Sequence, residues 1–172
     1  MDAEREVMDV FLQPGEYFAG DEGYRVRTLL GSCVSITLWH RLSRVGAMSH
    51  FLLATRGAPC HGTLDGRYGD EALELMFAEL RALRVEPREC EAKIFGGGDM
   101  FPGHSHAQAI EVGRRNGHQA RALLAYAGIP VVSKSLFGVG HRQVIFDIAS
   151  GDVWSRQVKP VAINVGGVEA KL

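Results

Sequence analysis

The sequence predicts an α/β (α+β) layered sandwich, with mixed β-sheets packed against two main helices and no doubly wound sheet. Three observations lead there. Short apolar runs rich in β-branched and aromatic residues recur along the chain, only two stretches carry helical periodicity, and the two kinds of segment do not alternate regularly.

Taken in order, residues 1–9 are polar and are expected to form a peripheral tail, with a strand opening at Val10-Phe11-Leu12 before the Pro14-Gly15 turn. Residues 17–19 and 24–26 read as extended pieces on either side of the loop 20–23. From Thr28 to Trp39 the chain reads as buried strand interrupted by Gly31-Ser32-Cys33, and a second strand follows from Val45 to a histidine, His50. A hairpin between them sets Cys33 and His50 on adjacent strands.

Residues 55–69 change to Gly, Pro, Thr, Asp and His, the composition of a surface loop. Asp70 is then read as the cap of a helix over 71–83, where Leu73, Met76, Phe77, Leu80 and Leu83 trace one face. A strand over 91–95 runs into Gly96-Gly97-Gly98, and Asn116 is read as the cap of a second helix over 117–127, stopped by Gly128. An extended piece starts at Ile129, and 143–158 reads as a hairpin turning at 150–152. Residues 160–172 are expected to be a second peripheral tail.

A chain of 172 residues, 46% hydrophobic, builds one substantial core, so a single domain over 1–172 is expected. Lysine and arginine total 19 against 20 acidic residues, and this balance argues against a general nucleic-acid or membrane-surface binder. No apolar run is long enough to span a bilayer and the first residues lack a signal-peptide pattern, so no membrane insertion and a cytoplasmic location are expected. Cys33, Cys60 and Cys90 are odd in number and widely spaced, which fits free thiols.

Cys33 and His50 carry the chemistry. An imidazole beside a thiol takes its proton, the thiolate attacks an electron-poor carbon, and the imidazolium then protonates a departing amine. Gly31 and Ser32 allow close backbone approach, and N–H groups near Ser32 and Cys33 can meet a developing oxyanion. Thr28 or Ser32 is available to orient the histidine, and Gly96, Gly97 and Gly98 are read as a wall of the substrate site. Each has a plainer reading as core, turn or strand. Cys60-His61 is an alternative pair, but adjacent side chains diverge. With His104 and His106 these residues make only a loose metal-ligand set, so no metal and no cofactor are expected. Gly96-Gly97-Gly98 lacks the residues of a phosphate loop.

These segments together resemble the bacterial chemoreceptor glutamine deamidases called CheD. Residues 28–34 look like the family's catalytic-cysteine segment and 45–50 like its catalytic-histidine segment; 91–101 and Val112-Gly113-Arg114-Arg115-Asn116 resemble two further blocks, in matching order over roughly 10–158. The family also uses a threonine just upstream of the cysteine. Thr28 matches it here, with Arg27 at the position where some members place it. Phe137-Gly138-Val139-Gly140-His141-Arg142 departs from the family's glycine pattern. The resemblance implies hydrolysis of glutamine side-chain amides on methyl-accepting chemotaxis receptors, with receptor methylesterase activity and a CheC-type phosphatase partner as further family properties. Another thiol amidase or peptidase, or a non-catalytic receptor- or phosphatase-binding module, is the alternative.

Overall fold

The stretch from 24 to 40, which contains the apolar run 28–39, folds as two strands that belong to different sheets. β3 (Tyr24–Leu30) ends in one sheet, Gly31-Ser32-Cys33 carries the chain across, and β4 (Val34–His40) begins in the other. The small residues in the middle of the run therefore mark a change of layer. In the computed structural model, residues 4–59, 62–100, 107–159 and 168–172 are described, with the backbone alone for 107–110 and 168–169.

The remaining strands are β1 (Met8–Leu12), β2 (Tyr17–Gly20), β5 (Val45–Ser49), β6 (Glu91–Gly96), β7 (Val131–Leu136), β8 (His141–Asp147), β9 (Val153–Val158) and β10 (Val168–Lys171). The outer sheet has the order β1-β3-β8-β9-β10 and the inner sheet β2-β5-β4-β6-β7. Both are mixed, because β1 lies parallel to β3 and β7 parallel to β6 while the other pairs are antiparallel. Two helices, α1 (Gly69–Ala82) and α2 (Ala107–Ala127), cover the far face of the inner sheet. The expected layered sandwich with two main helices is the observed architecture.

The layers follow from which side chains each strand buries. Val34, Ile36, Leu38, Ala47 and Phe51 meet Leu73, Met76, Leu80 and Leu124 of the helices. On the opposite face Met48 and Phe95 meet Val26, Leu30, Val144 and Phe146 of the outer sheet. β4 and β5 are buried on both faces, so even Ser35 and Thr37, the polar residues that alternate along β4, lie in the interior. Gly46 lets the sheets come together, since a Cβ there would lie 2.8 Å from Phe146 Cζ.

Four boundaries differ from expectation. β1 starts at Met8, so its parallel pairing with β3 takes in the last residues of the first presumed tail. Part of the second tail is strand: β10 pairs with β9, and Lys93 Nζ donates to the carbonyls of Leu172 (2.6 Å) and Gly151 (3.0 Å). α1 starts at Gly69, with Tyr68 in the capping position and no side-chain cap. Asp70 instead accepts from the N–H of Glu71 inside the first turn. α2 begins ten residues before the expected 117, and Asn116 is an interior helical residue, 1% exposed. Its carboxamide finds partners on neighbouring segments, so it has no need of the helix end.

Candidate functional site

The layer crossing brings the predicted residues together at the seam between the sheets. Val34 and Phe51 exchange both backbone hydrogen bonds, extending the antiparallel β4–β5 register past the end of β5. In that register His50 lies opposite Ser35, and Cys33 is its diagonal neighbour on the same face, a relation that places Cα atoms roughly 7–8 Å apart. Cys33 packs against the core between the sheets, half-buried, while His50 is 2% exposed.

Thr28, in β3 of the outer sheet, faces His50 across this seam. Its Oγ1 lies 2.7 Å from His50 Nδ1 and donates its one proton to the carbonyl of Leu12 at 2.8 Å. Toward the histidine the hydroxyl can therefore only accept, so the imidazole carries its proton on Nδ1. The lone pair is left on Nε2. That atom is buried and has no hydrogen-bond partner among the described residues, Cys33 Sγ included.

Burial governs both titrations. It lowers His50 to about 4, against smaller upward pulls from the Leu12 carbonyl and the Glu16 charge. The Cys33 thiol is pushed up by burial, and its own backbone N–H opposes the shift. At neutral pH the pair is a thiol and a neutral imidazole.

Gly31, Ser32 and Cys33 form the crossing loop itself. Behind it, the N–H of Gly97 donates to Cys33 O and that of Gly98 to Gly31 O, both at 2.9 Å. Those two donors are therefore occupied, and through them the glycines brace the cysteine loop from behind. Gly96 sits closest: its φ is +114° and a Cβ there would lie 2.2 Å from Cys33 O. The N–H groups of Ser32 and Cys33, by contrast, have no backbone or side-chain acceptor on another residue among the described residues. They are the available oxyanion donors at the loop.

Two polar residues beside the loop are not among the site residues expected from sequence. Arg142, 2% exposed, donates to Gly96 O, Ser135 Oγ and Phe137 O, and burial pushes its guanidinium down to about 10. Asn116 reaches from α2 to Ser32 O (3.2 Å) and Leu52 O (2.8 Å), and accepts from the N–H of Ala54 (3.0 Å). The polar run Gly113-Arg114-Arg115-Asn116, next to apolar helix positions, was the available signal. Cys90 is a buried core thiol raised to about 12, chiefly by burial. Cys60, His61, His104 and His106 lie outside the described residues, among which no group of three metal-ligating side chains occurs.

The family model described as CheD chemotactic sensory transduction matches residues 52–157, a segment that begins just after His50. Proteins similar over nearly the whole chain extend the match across the cysteine and histidine segments. A probable chemoreceptor glutamine deamidase CheD 2 of Albidiferax ferrireducens is 59% identical over 167 residues, covering 96% of each chain. A probable chemoreceptor glutamine deamidase CheD 3 of Dechloromonas aromatica is 45% identical over 88% of this chain and 89% of its own. One from Pseudomonas savastanoi pv. phaseolicola is 42% identical over 92% and 89%. With the family model spanning more than half of its residues and relatives of this identity along its length, the chain belongs to the CheD family.

Proposed function

We propose that this protein is a cysteine-dependent protein-glutamine deamidase that converts glutamine side chains of methyl-accepting chemotaxis receptors to glutamate, with release of ammonia. The observation that carries the reading is the buried Nε2 of His50, without a partner among the described residues, its lone pair left free by the Thr28 contact at Nδ1 and the ring set diagonally from Cys33. The names of the relatives supply the substrate class.

The chemistry runs as acyl transfer. His50 Nε2 takes the Cys33 thiol proton as sulfur attacks the carboxamide carbon, and the N–H groups of Ser32 and Cys33 receive the charge on oxygen. The imidazolium returns the proton to the nitrogen as the C–N bond breaks, releasing ammonia and leaving a thioester. His50 then deprotonates water, which attacks the thioester; the C–S bond breaks, the sulfur regains its proton and the product is glutamate. A methyl ester fits the same scheme with methanol leaving, so receptor methylesterase activity belongs to the proposal. So do a cytoplasmic location, where receptor signalling segments are reached, and a CheC-type phosphatase partner. No described helix is long and apolar enough to cross a membrane.

The deciding experiment incubates the protein with a receptor cytoplasmic fragment and reads intact mass. Deamidation raises the mass by about 1 Da per site, the difference between an amide and an acid in this chemistry. The Cys33→Ala protein is expected to leave the fragment unchanged. Chain cleavage, or equal activity of Cys33→Ala, overturns the reading.

A further inference from the structure

We infer that Asn116 is a positioning residue that aims the Cys33 backbone N–H at the site where the substrate oxygen becomes negative. The inference rests on the deamidase reading. Asn116 is interior to α2 and 1% exposed, and all its polar atoms are used outside its own helix. Its amide orientation is fixed by chemistry. Nδ2 meets two carbonyls, those of Ser32 and Leu52, while Oδ1 meets the N–H of Ala54, and a flipped amide would set oxygen against oxygen and donor against donor.

The consequence follows from one peptide plane. Ser32 C=O and Cys33 N–H belong to the same trans peptide unit, in a chain without cis bonds among the described residues, and they point in opposite directions. Pulling the carbonyl toward α2 turns the N–H away from the helices, toward the side on which Cys33 packs against the core between the sheets. The lowering effect of this N–H on its own thiol agrees with that direction. The preceding peptide is held from the other side, where Gly98 N–H takes Gly31 O at 2.9 Å. Leu52 and Ala54, the other ends of the Asn116 bridge, follow directly after His50 and Phe51, so one carboxamide ties the cysteine loop to the histidine segment.

An oxyanion donor acts on the transition state and leaves ground-state binding nearly unchanged. Alkylation by iodoacetamide provides the contrast, because sulfur displaces iodide at a saturated carbon and no carbonyl oxygen gains charge. The test compares the unchanged protein with Asn116→Ala and the gentler Asn116→Ser, measuring kcat and KM for a receptor fragment. The alkylation rate of the Cys33 peptide is followed by mass spectrometry, and turnover is normalised to the folded fraction of each variant, read from its urea-unfolding curve. The expected result is a fall in kcat of about 10- to 100-fold, with KM and the alkylation rate each within about twofold. Unchanged kcat per folded protein in both variants overturns the inference, as does a parallel fall of kcat and alkylation, which marks general collapse of the loop. If the unchanged protein does not deamidate, the proposed function fails first, and the two failures are told apart.

Discussion

Thr28 Oγ1 and His50 Nδ1 lie 2.7 Å apart, one residue on each sheet, and the hydroxyl between them already has its proton committed to Leu12 O. This arrangement leaves the imidazole one neutral tautomer. It also predicts how the two conservative replacements of Thr28 separate. Thr28→Ser keeps the acceptor and is expected to retain kcat within about threefold, whereas Thr28→Val removes it and lowers kcat by about 10- to 100-fold. The valine protein also leaves a buried N–H and a carbonyl unsatisfied, at a cost of about 1–3 kcal/mol in urea unfolding.

The depressed pKa of His50 sets the acid limb of activity. Since the residue stays neutral down to about 4, kcat/KM is expected to fall only as pH drops through that region, well below the ordinary histidine value of 6.5. A pH–rate profile on a glutamine-containing receptor peptide checks this. A limb centred near 6.5 would contradict it.

The same shift links to stability with a definite sign. Between 6.5 and about 4 the unfolded chain binds a proton at residue 50 that the folded chain refuses, so this contribution is complete above 6.5 and is lost as pH falls through the window. Its full size is about 3 kcal/mol, from the 1.36 kcal/mol carried by each pKa unit. Urea midpoints at pH 7 and pH 4.5 are expected to differ less in His50→Gln than in the unchanged protein.

Gly96→Ala tests the brace behind the cysteine. The new Cβ would sit 2.2 Å from Cys33 O and 3.1 Å from Val34 Cα at a φ of +114°. The expected loss is about 2–4 kcal/mol from overpacking and backbone strain together. Gly57→Ala is the control: its φ is +80° with nothing near the added carbon, so it bears only the conformational cost of about 1–2 kcal/mol.

Arg142→Lys keeps the charge and loses the fork that reaches Gly96 O, Ser135 Oγ and Phe137 O. A compact ammonium cannot span those three acceptors from one buried position. A destabilisation of about 2–4 kcal/mol is expected in urea, from carbonyls left without donors.

What could be read from the sequence was local chemistry and periodicity. The helical face through Leu73, Met76, Phe77 and Leu80, the hairpin of β8 and β9, and the pairing of the Cys33 and His50 segments all lie within short windows. Three features were hidden because distant residues decide them. The crossing at Gly31-Ser32-Cys33 reads as one broken strand, since the residues flanking it on both sides are largely apolar whichever sheet they join. The first half of α2 was missed because Gly113 and Asn116 are poor helix formers in isolation, and tertiary contacts override that preference. β10 gave no signal of its own, its place being fixed by pairing with β9.

The first strand has a consequence that reaches beyond packing. β1 is an edge strand, the outermost of its sheet, and its last residue supplies the carbonyl that occupies the Thr28 proton. Peel that strand away and the threonine proton is released. It can then turn toward Nδ1, which favours the tautomer whose hydrogen sits on Nε2, and the proposed base loses its lone pair there. A shift of a few residues at one border of the sandwich would thus rewrite the proton inventory of the site with every side chain of the dyad still present.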